Sequence, residues 1–234
     1  MSLKKQQGSL DLFLEKLGEQ EHFIEHMPKR IVWLSGAPGA GKGTNENYII
    51  EYFNLYERPL VASSLLKSKE MLEKINQGVL LDDLTVVSSV FNGLLDEDYR
   101  EGVLVDGFPR TLGQAKSVVW LHDFLSKRVG GVHFSSVILM LDEEESVRRQ
   151  VSRGLRAMQY NERIRRSGEG ILKEVRSTDL NPTIARHRYS LFMKETYAAL
   201  QYLKDFLPSS EVACDGSLEL VKSKVMAGIE GLMG

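Results

Sequence analysis

A short β-rich run, Arg30-Ile31-Val32-Trp33-Leu34-Ser35, leads straight into Gly36-Ala37-Pro38-Gly39-Ala40-Gly41-Lys42-Gly43-Thr44, and this junction constrains the fold more than any other stretch of the chain. Glycines let a backbone curl around an anion with its amide groups turned inward. A helix starting near Lys42 adds unpaired N-terminal N–H groups and the positive end of its dipole. Lys42 brings a mobile positive charge for the outer phosphates of a nucleotide. The general phosphate-binding loop places Ser or Thr directly after the lysine; here Gly43 intervenes before Thr44. The competing reading is a glycine-rich turn with a fortuitous lysine. The strand before the loop and the helix after it favour phosphate binding, because the loop works only where a strand hands the chain to a helix.

Four later segments share the character of the first strand: Pro59–Ala62, Gly102–Asp106, Val137–Leu141 and Glu211–Cys214. Runs that are apolar on both faces imply a parallel sheet covered by helices. Helical patterns between them imply βαβ crossovers and an α/β fold. Two connections carry more chain than a crossover needs. Residues 63–95 read as two helices, around Leu65–Ile75 and Asp82–Leu95, and residues 154–182 are polar and rich in arginine. Insertions of this kind on an α/β sheet are commonly lids or substrate-binding lobes. Before the first strand, Leu10, Phe13, Leu14 and Leu17 recur at helical spacing and Phe23 and Ile24 extend the face. The pattern predicts one amphipathic helix over 9–27, packed on the core surface or used as a dimer contact. Residues 1–29 thus form an N-terminal helical extension, and 30–234 the main domain.

Composition removes several classes of function. The 234 residues suit one α/β domain with insertions, and a formal net charge of -2 creates no bulk attraction for nucleic acid or an anionic membrane. No apolar run reaches membrane-spanning length, and Leu12-Phe13-Leu14 sit among charges rather than in the apolar core of a secretion signal. Cys214 is the only cysteine, so an internal disulfide and a cysteine-held zinc are both out of reach. A cytoplasmic monomer binding no nucleic acid and no membrane is expected.

The third apolar run ends in Asp106-Gly107-Phe108-Pro109-Arg110-Thr111. A carboxylate at the end of a parallel strand beside a phosphate loop is placed to hold Mg²⁺, directly or through water, together with Thr44. Arg110 can grip a phosphoryl group with its planar fork. Alone, the carboxylate could be a helix cap and the arginine a surface ion pair; beside the phosphate loop, those readings lose ground. With both motifs in hand, the sequence resembles the adenylate kinase branch of the nucleoside monophosphate kinases. The resemblance covers about residues 30–232 and is strongest at Gly36–Thr44 and Asp106–Gln114.

The resemblance implies a P-loop fold with a five-stranded parallel sheet in the order 2-3-1-4-5. The first insertion would bind the monophosphate, the second would be a lid over ATP, and Mg²⁺ would be the cofactor, with no zinc. The implied reaction is reversible: Mg·ATP and AMP give two ADP. The ATP contacts would be Gly36, Pro38, Gly39, Ala40, Gly41, Lys42, Gly43 and Thr44, then Arg149 and Arg153, with Leu218 after the Asp215-Gly216-Ser217 turn. Lys42, Arg110, Arg153, Arg176 and Arg188 would stabilise the transferring phosphoryl. The acceptor would meet Ala62, Lys67, Val79, Leu80, Leu81, Gly107, Arg110, Gln114, Arg176 and Arg188. Gln114 lies where the family reads the acceptor base, and a glutamine amide offers the donor and acceptor that match the N6-amino and N1 edge of adenine. Two departures stand in the acceptor lobe: Ala62 replaces a threonine and Lys67 an arginine, which loses the bidentate fork. The lid reads Asn161 to Gly170 and then a helical stretch to Arg176. Ten of the fifteen arginines fall between Arg148 and Arg188, a density suited to two polyphosphates in one cleft. Other acceptors, UMP, CMP or a small hydroxyl compound, stay open, as does a nucleotide-binding relative without turnover.

Overall fold

Strand β1 (Arg30–Gly36) is buried from Ile31 onward because parallel neighbours flank it on both sides. The computed structural model describes residues 3–66, 81–173 and 175–232. Around β1 lie β2 (Leu60–Val61), β3 (Val103–Asp106), β4 (His133–Met140) and β5 (Ser209–Ala213), in the order β2-β3-β1-β4-β5 with every pair parallel. The expected class and strand order are therefore observed. Register places Leu34 beside Asp106, so the end of β3 meets the exit of β1.

Two strands differ from their expected bounds. β4 begins at His133, four residues before the apolar run, because Ser135 and Ser136 are buried although polar. β2 is two residues long, and Ala62 instead opens a 3₁₀ turn, Ala62–Leu65. That turn is all that is described of the first helix expected in the 63–95 insertion. Its remainder, with Lys67, Val79 and Leu80, lies outside the described residues. The second expected helix is present.

The helices beyond the extension are α3 (Lys42–Phe53), α4 (Asp83–Gly93), α5 (Leu112–Ser126), α6 (Glu143–Ser167), α7 (Pro182–Leu191), α8 (Ala198–Lys204) and α9 (Leu218–Ile229). Side chains cap them where the sequence offers the chemistry. Asp82 accepts from Thr85 N–H at α4, Thr111 from Gln114 N–H at α5, Asp142 from Glu145 N–H at α6, and Asn181 from Thr183 and Ile184 at α7. A π-helical turn, Phe192–Tyr197, joins α7 to α8. No described helix is long and apolar enough to cross a membrane.

The expected single helix over 9–27 is instead two, α1 (Leu3–Gly18) and α2 (Glu21–His26), broken at extended Gln20. Glycine ends helices readily, and Gly18 also lies against the Phe124 ring, where a Cβ would come within 2.8 Å. The predicted apolar face holds: Leu10, Leu14, Leu17 and Phe23 are buried in the core, and α1 packs on α4 and α5.

Candidate active site

The loop between β1 and α3 bends through Gly39 at φ +83° and Gly41 at φ +87°, a region where side chains are strained. The next residue, Lys42, is the first of α3, so the helix's unpaired N–H groups open onto the loop. Lys42 is half-buried, and burial pushes its ammonium below the usual lysine range. Asp106 opposes that shift, while Arg110, Arg153 and Arg188 add to it. Charged residues from three other parts of the chain therefore act on one ammonium.

A cleft of about 800 Å³ opens over this loop. Its floor is Gly39 to Glu46 and Asp106, one wall is α6 through Arg149 and Arg153, and Arg176 and the Gly216-Ser217-Leu218 turn complete it. The predicted ATP-side residues are thus largely brought together. Leu218 is 74% exposed at the rim, an apolar surface offered to whatever enters. Arg148, Ser152, Arg156 and Glu46 also line the cleft, and the sequence reading did not name them. Burial and nearby Asp106 push the Glu46 carboxyl above the usual range, against the pull of Lys42.

Asp106 Oδ1 is buried and has no hydrogen-bond partner in the structure. An unpaired carboxylate oxygen costs free energy unless a cation or water meets it. With Thr44 in the same cleft, the pair fits a hard divalent ion such as Mg²⁺. Among the described residues no three His, Cys, Asp or Glu side chains cluster as a metal cage. An ion here would take its other ligands from water and substrate phosphates, the usual habit of Mg²⁺.

Arg110 donates from Nε to Gly107 O at 2.7 Å, and burial lowers its pKa against the pull of Asp106. Gln114 is 2% exposed. Its Oε1 accepts the Arg110 N–H at 2.8 Å, while its own N–H donates to Thr111 Oγ1. The second bond is the Thr111 cap of α5, and the first reaches one residue past the cap, a variant of the capping box. Its Nε2 donates to Asp83 Oδ1 at 3.1 Å. One amide hydrogen and one oxygen lone pair remain for a further partner. Ala62 is buried and Leu81 half-buried, both in or against the core.

The lid region departs from its expected form. α6 runs unbroken to Ser167, and Gly168 in the left-handed region ends it. The helical stretch expected up to Arg176 is absent from the described residues: 169–173 and 175–176 carry no regular structure. Asn161 supplies the reason. Its side chain donates to Lys173 O at 2.7 Å and accepts Lys173 N–H at 2.8 Å, taking backbone groups a helix would need.

The arginines are also more balanced than their density implied. Glu145 pairs with Arg148 and Arg149, which hold its carboxyl down at about 2. Asp179, 2% exposed, accepts from Arg153 Nε at 2.7 Å, Arg153 Nη2 at 2.9 Å and Arg188 Nη1 at 2.9 Å. Burial lowers the Arg188 pKa, partly offset by Asp179. This pair is therefore not left to repel itself in an empty cleft: one carboxylate holds both guanidiniums. Arg163, Arg165 and Arg166 are exposed.

Asp179, Gln150 and Ser146 are the site residues the sequence reading missed. Asp179 was visible as the one acid in Arg176-Ser177-Thr178-Asp179. Gln150 had only its helical phase to mark it, one turn before Arg153.

The chain is 32% identical to an adenylate kinase of Thermosipho africanus over 183 residues, 71% of this chain and 84% of that protein. It is 29% identical to an adenylate kinase of Azobacteroides pseudotrichonymphae over 212 residues, 86% and 97% of the two chains. A gluconokinase structure from Sinorhizobium meliloti covers 88% of this chain at 15% identity and a TM-score of 0.48. No family model matches the chain.

Proposed function

The chain belongs to the adenylate kinase family, and from that premise we propose that it moves the terminal phosphoryl of ATP directly to AMP, giving two ADP reversibly. The observation that carries this reading is one cleft lined together by the phosphate loop, Lys42, Asp106, Arg149, Arg153 and Arg176, with Arg188 tied to Arg153 through Asp179. Such a set has one evident chemical use: neutralising a phosphoryl group that carries charge on all its oxygens during transfer. The acceptor phosphate is already ionised, so no side chain need act as nucleophile or base, and positioning and charge do the work.

The loop amides and the first turn of α3 would hold the ATP phosphates, with Lys42 on the outer pair. Arg149 and Arg153 would flank the triphosphate from α6, and Leu218 would border the base. Arg110, Arg176 and Arg188 would close around the donor–acceptor junction. Asp106 and Thr44 would hold Mg²⁺, which when bound neutralises phosphate charge and fixes the outer oxygens. The free amide hydrogen and lone pair of Gln114 would read the N1 and N6 edge of adenine. Closure of residues 154–182 would keep water from the phosphoryl group.

A coupled assay of AMP, UMP, CMP and GMP with Mg·ATP tests the acceptor. AMP is expected to give the highest kcat/KM, and Gln114→Ala to lower it for AMP by about tenfold to a hundredfold, with ATP binding unchanged. Preference for UMP or CMP in the unmodified chain, or turnover of none of the four, defeats the AMP assignment. The division of lid roles has its own check. Arg188→Ala should lower kcat by about a hundredfold or more, and Arg165→Ala by less than about twofold, since exposed single charges contribute little. Equal losses would show that Arg188 has no special place.

A further inference from the structure

Behind the arginines runs a chain of buried hydrogen bonds that reaches the phosphate loop. Ser146 Oγ donates to Pro38 O at 2.6 Å, inside the loop. Gln150 Nε2 donates to Ser146 Oγ at 3.2 Å and to Ala185 O at 3.4 Å. Gln150 Oε1 accepts from Arg188 Nη1 at 3.0 Å, and Arg188 continues to Asp179 and so to Arg153. Ser146 and Gln150 are both 0% exposed. We propose that Gln150 is a positioning residue that fixes Arg188, and through it the arginine pair, to the phosphate loop.

The chemistry leaves the amide one orientation. The Ser146 hydroxyl gives its only proton to Pro38 O, so toward Gln150 it can only accept. Ala185 O is likewise an acceptor, and a guanidinium is donor-only. The NH₂ end must therefore face Ser146 and Ala185, and the oxygen must face Arg188. A reversed amide would set oxygen against oxygen and N–H against N–H. Leucine of similar size would make none of these bonds: Arg188 Nη1 would be left to Thr178 and Asp179 alone, with no tie to the loop, and the buried Ser146 oxygen would lose the amide that donates to it. Glutamate would aim carboxylate oxygens at two acceptors and add a second negative charge beside Asp179.

Geometry explains why a link to the loop matters. The loop would fix the donor phosphates, whereas Arg188 is carried by a separate element, α7. Tyr189 Oη donates to Leu141 O at 2.9 Å and anchors α7 to the end of β4, but that bond does not define where the guanidinium points. Gln150 Oε1, Thr178 Oγ1 and Asp179 Oδ1 all accept from Arg188 Nη1, and of the three Gln150 is the one that leads through Ser146 to the loop. An error of about an ångström in such a group is enough to cost about a hundredfold in rate.

This inference rests on the reading that Arg188 stabilises the transferring phosphoryl, and a double-mutant cycle in the full chain separates the two claims. The variants are Gln150→Leu, Arg188→Ala and both together, assayed for kcat with Mg·ATP and AMP and for the ATP dissociation constant. Gln150→Leu should lower kcat about tenfold to a hundredfold with ATP binding within about threefold. In the Arg188→Ala background the same change should cost less than about twofold, because the group it positions is gone. Additive losses, or an unchanged kcat in Gln150→Leu, overturn the proposal while leaving Arg188 in its role. Full activity of Arg188→Ala removes the premise itself. If Gln150→Leu does not fold, Ser146→Ala serves in the same cycle: it removes the hydroxyl that joins Gln150 to Pro38 and leaves the bonds of Gln150 to Arg188 and Ala185 in place, and a kcat loss of about threefold to tenfold that vanishes with Arg188→Ala is expected. Additivity there has the same adverse meaning.

Discussion

Replacing Lys42 with methionine is expected to lower the proposed formation of ADP from ATP and AMP at least about a hundredfold while leaving the fold intact. The size follows from removing one preorganised charge beside phosphate oxygens whose negative charge redistributes toward the leaving group during transfer. The intact fold follows from the cost of the lysine to the resting protein. Burial pushes its pKa down, and Arg110, Arg153 and Arg188 push in the same direction, with Asp106 alone in opposition. A charge held against its own desolvation contributes little to stability, so methionine of similar length should melt within a few degrees of the unmodified chain. Steady-state kinetics, an ATP titration and a thermal melt give the three readings. Turnover near that of the unmodified protein removes Lys42 from the mechanism, and a collapse in melting temperature makes its role architectural.

Asp179 carries the second large expectation. It is buried, and it holds Arg153 through two bonds and Arg188 through a third. Asp179→Ala leaves the half-buried Arg188 without its carboxylate and frees Arg153 to swing into solvent. Removing one member of a buried ion pair typically costs about 3–5 kcal/mol. The Arg153 side chain is 45% exposed, so its share is screened and the lower end of that range is expected. Turnover should fall about a hundredfold, because both arginines lose their place together. Asp179→Asn keeps the shape and two acceptor–donor contacts, and should lie between. Urea unfolding and kcat are the measurements. If the alanine variant keeps full kcat, the arginines find the phosphoryl unaided, and Asp179 serves stability alone.

The two readings differ in how far the sequence anticipated them, and the reason is physical. Lys42 lies in a motif whose spacing, strand before and helix after, is local. A phosphate loop is a property of nine consecutive residues, and so was legible without any tertiary knowledge. The same holds for Asp106 at the end of β3 and for five parallel strands that announce themselves as apolar runs. Where polar residues enter a buried element, the signal fails: Ser135 and Ser136 concealed the first half of β4. Where a side chain competes for backbone groups, it fails again: Asn161 clamps Lys173 and stops the helix expected up to Arg176.

Charge density in the lid was plain from the chain, but its meaning was not. Ten arginines between Arg148 and Arg188 read as a density suited to two polyphosphates in one cleft. The folded chain sets Glu145 and Asp179 among them, thirty-four residues apart in sequence, and turns part of the cluster into fixed pairs. Gln114 shows the same limit, since its bond to Asp83 joins segments thirty-one residues apart. The sequence by itself determined the α/β class, the phosphate loop and the residue types available for phosphoryl chemistry, because those are written in local spacing and hydrophobic period. Only the tertiary structure decided which carboxylate holds which arginine and how Gln150 joins the loop to Arg188, because hydrogen-bond partners far apart in the chain are chosen by packing.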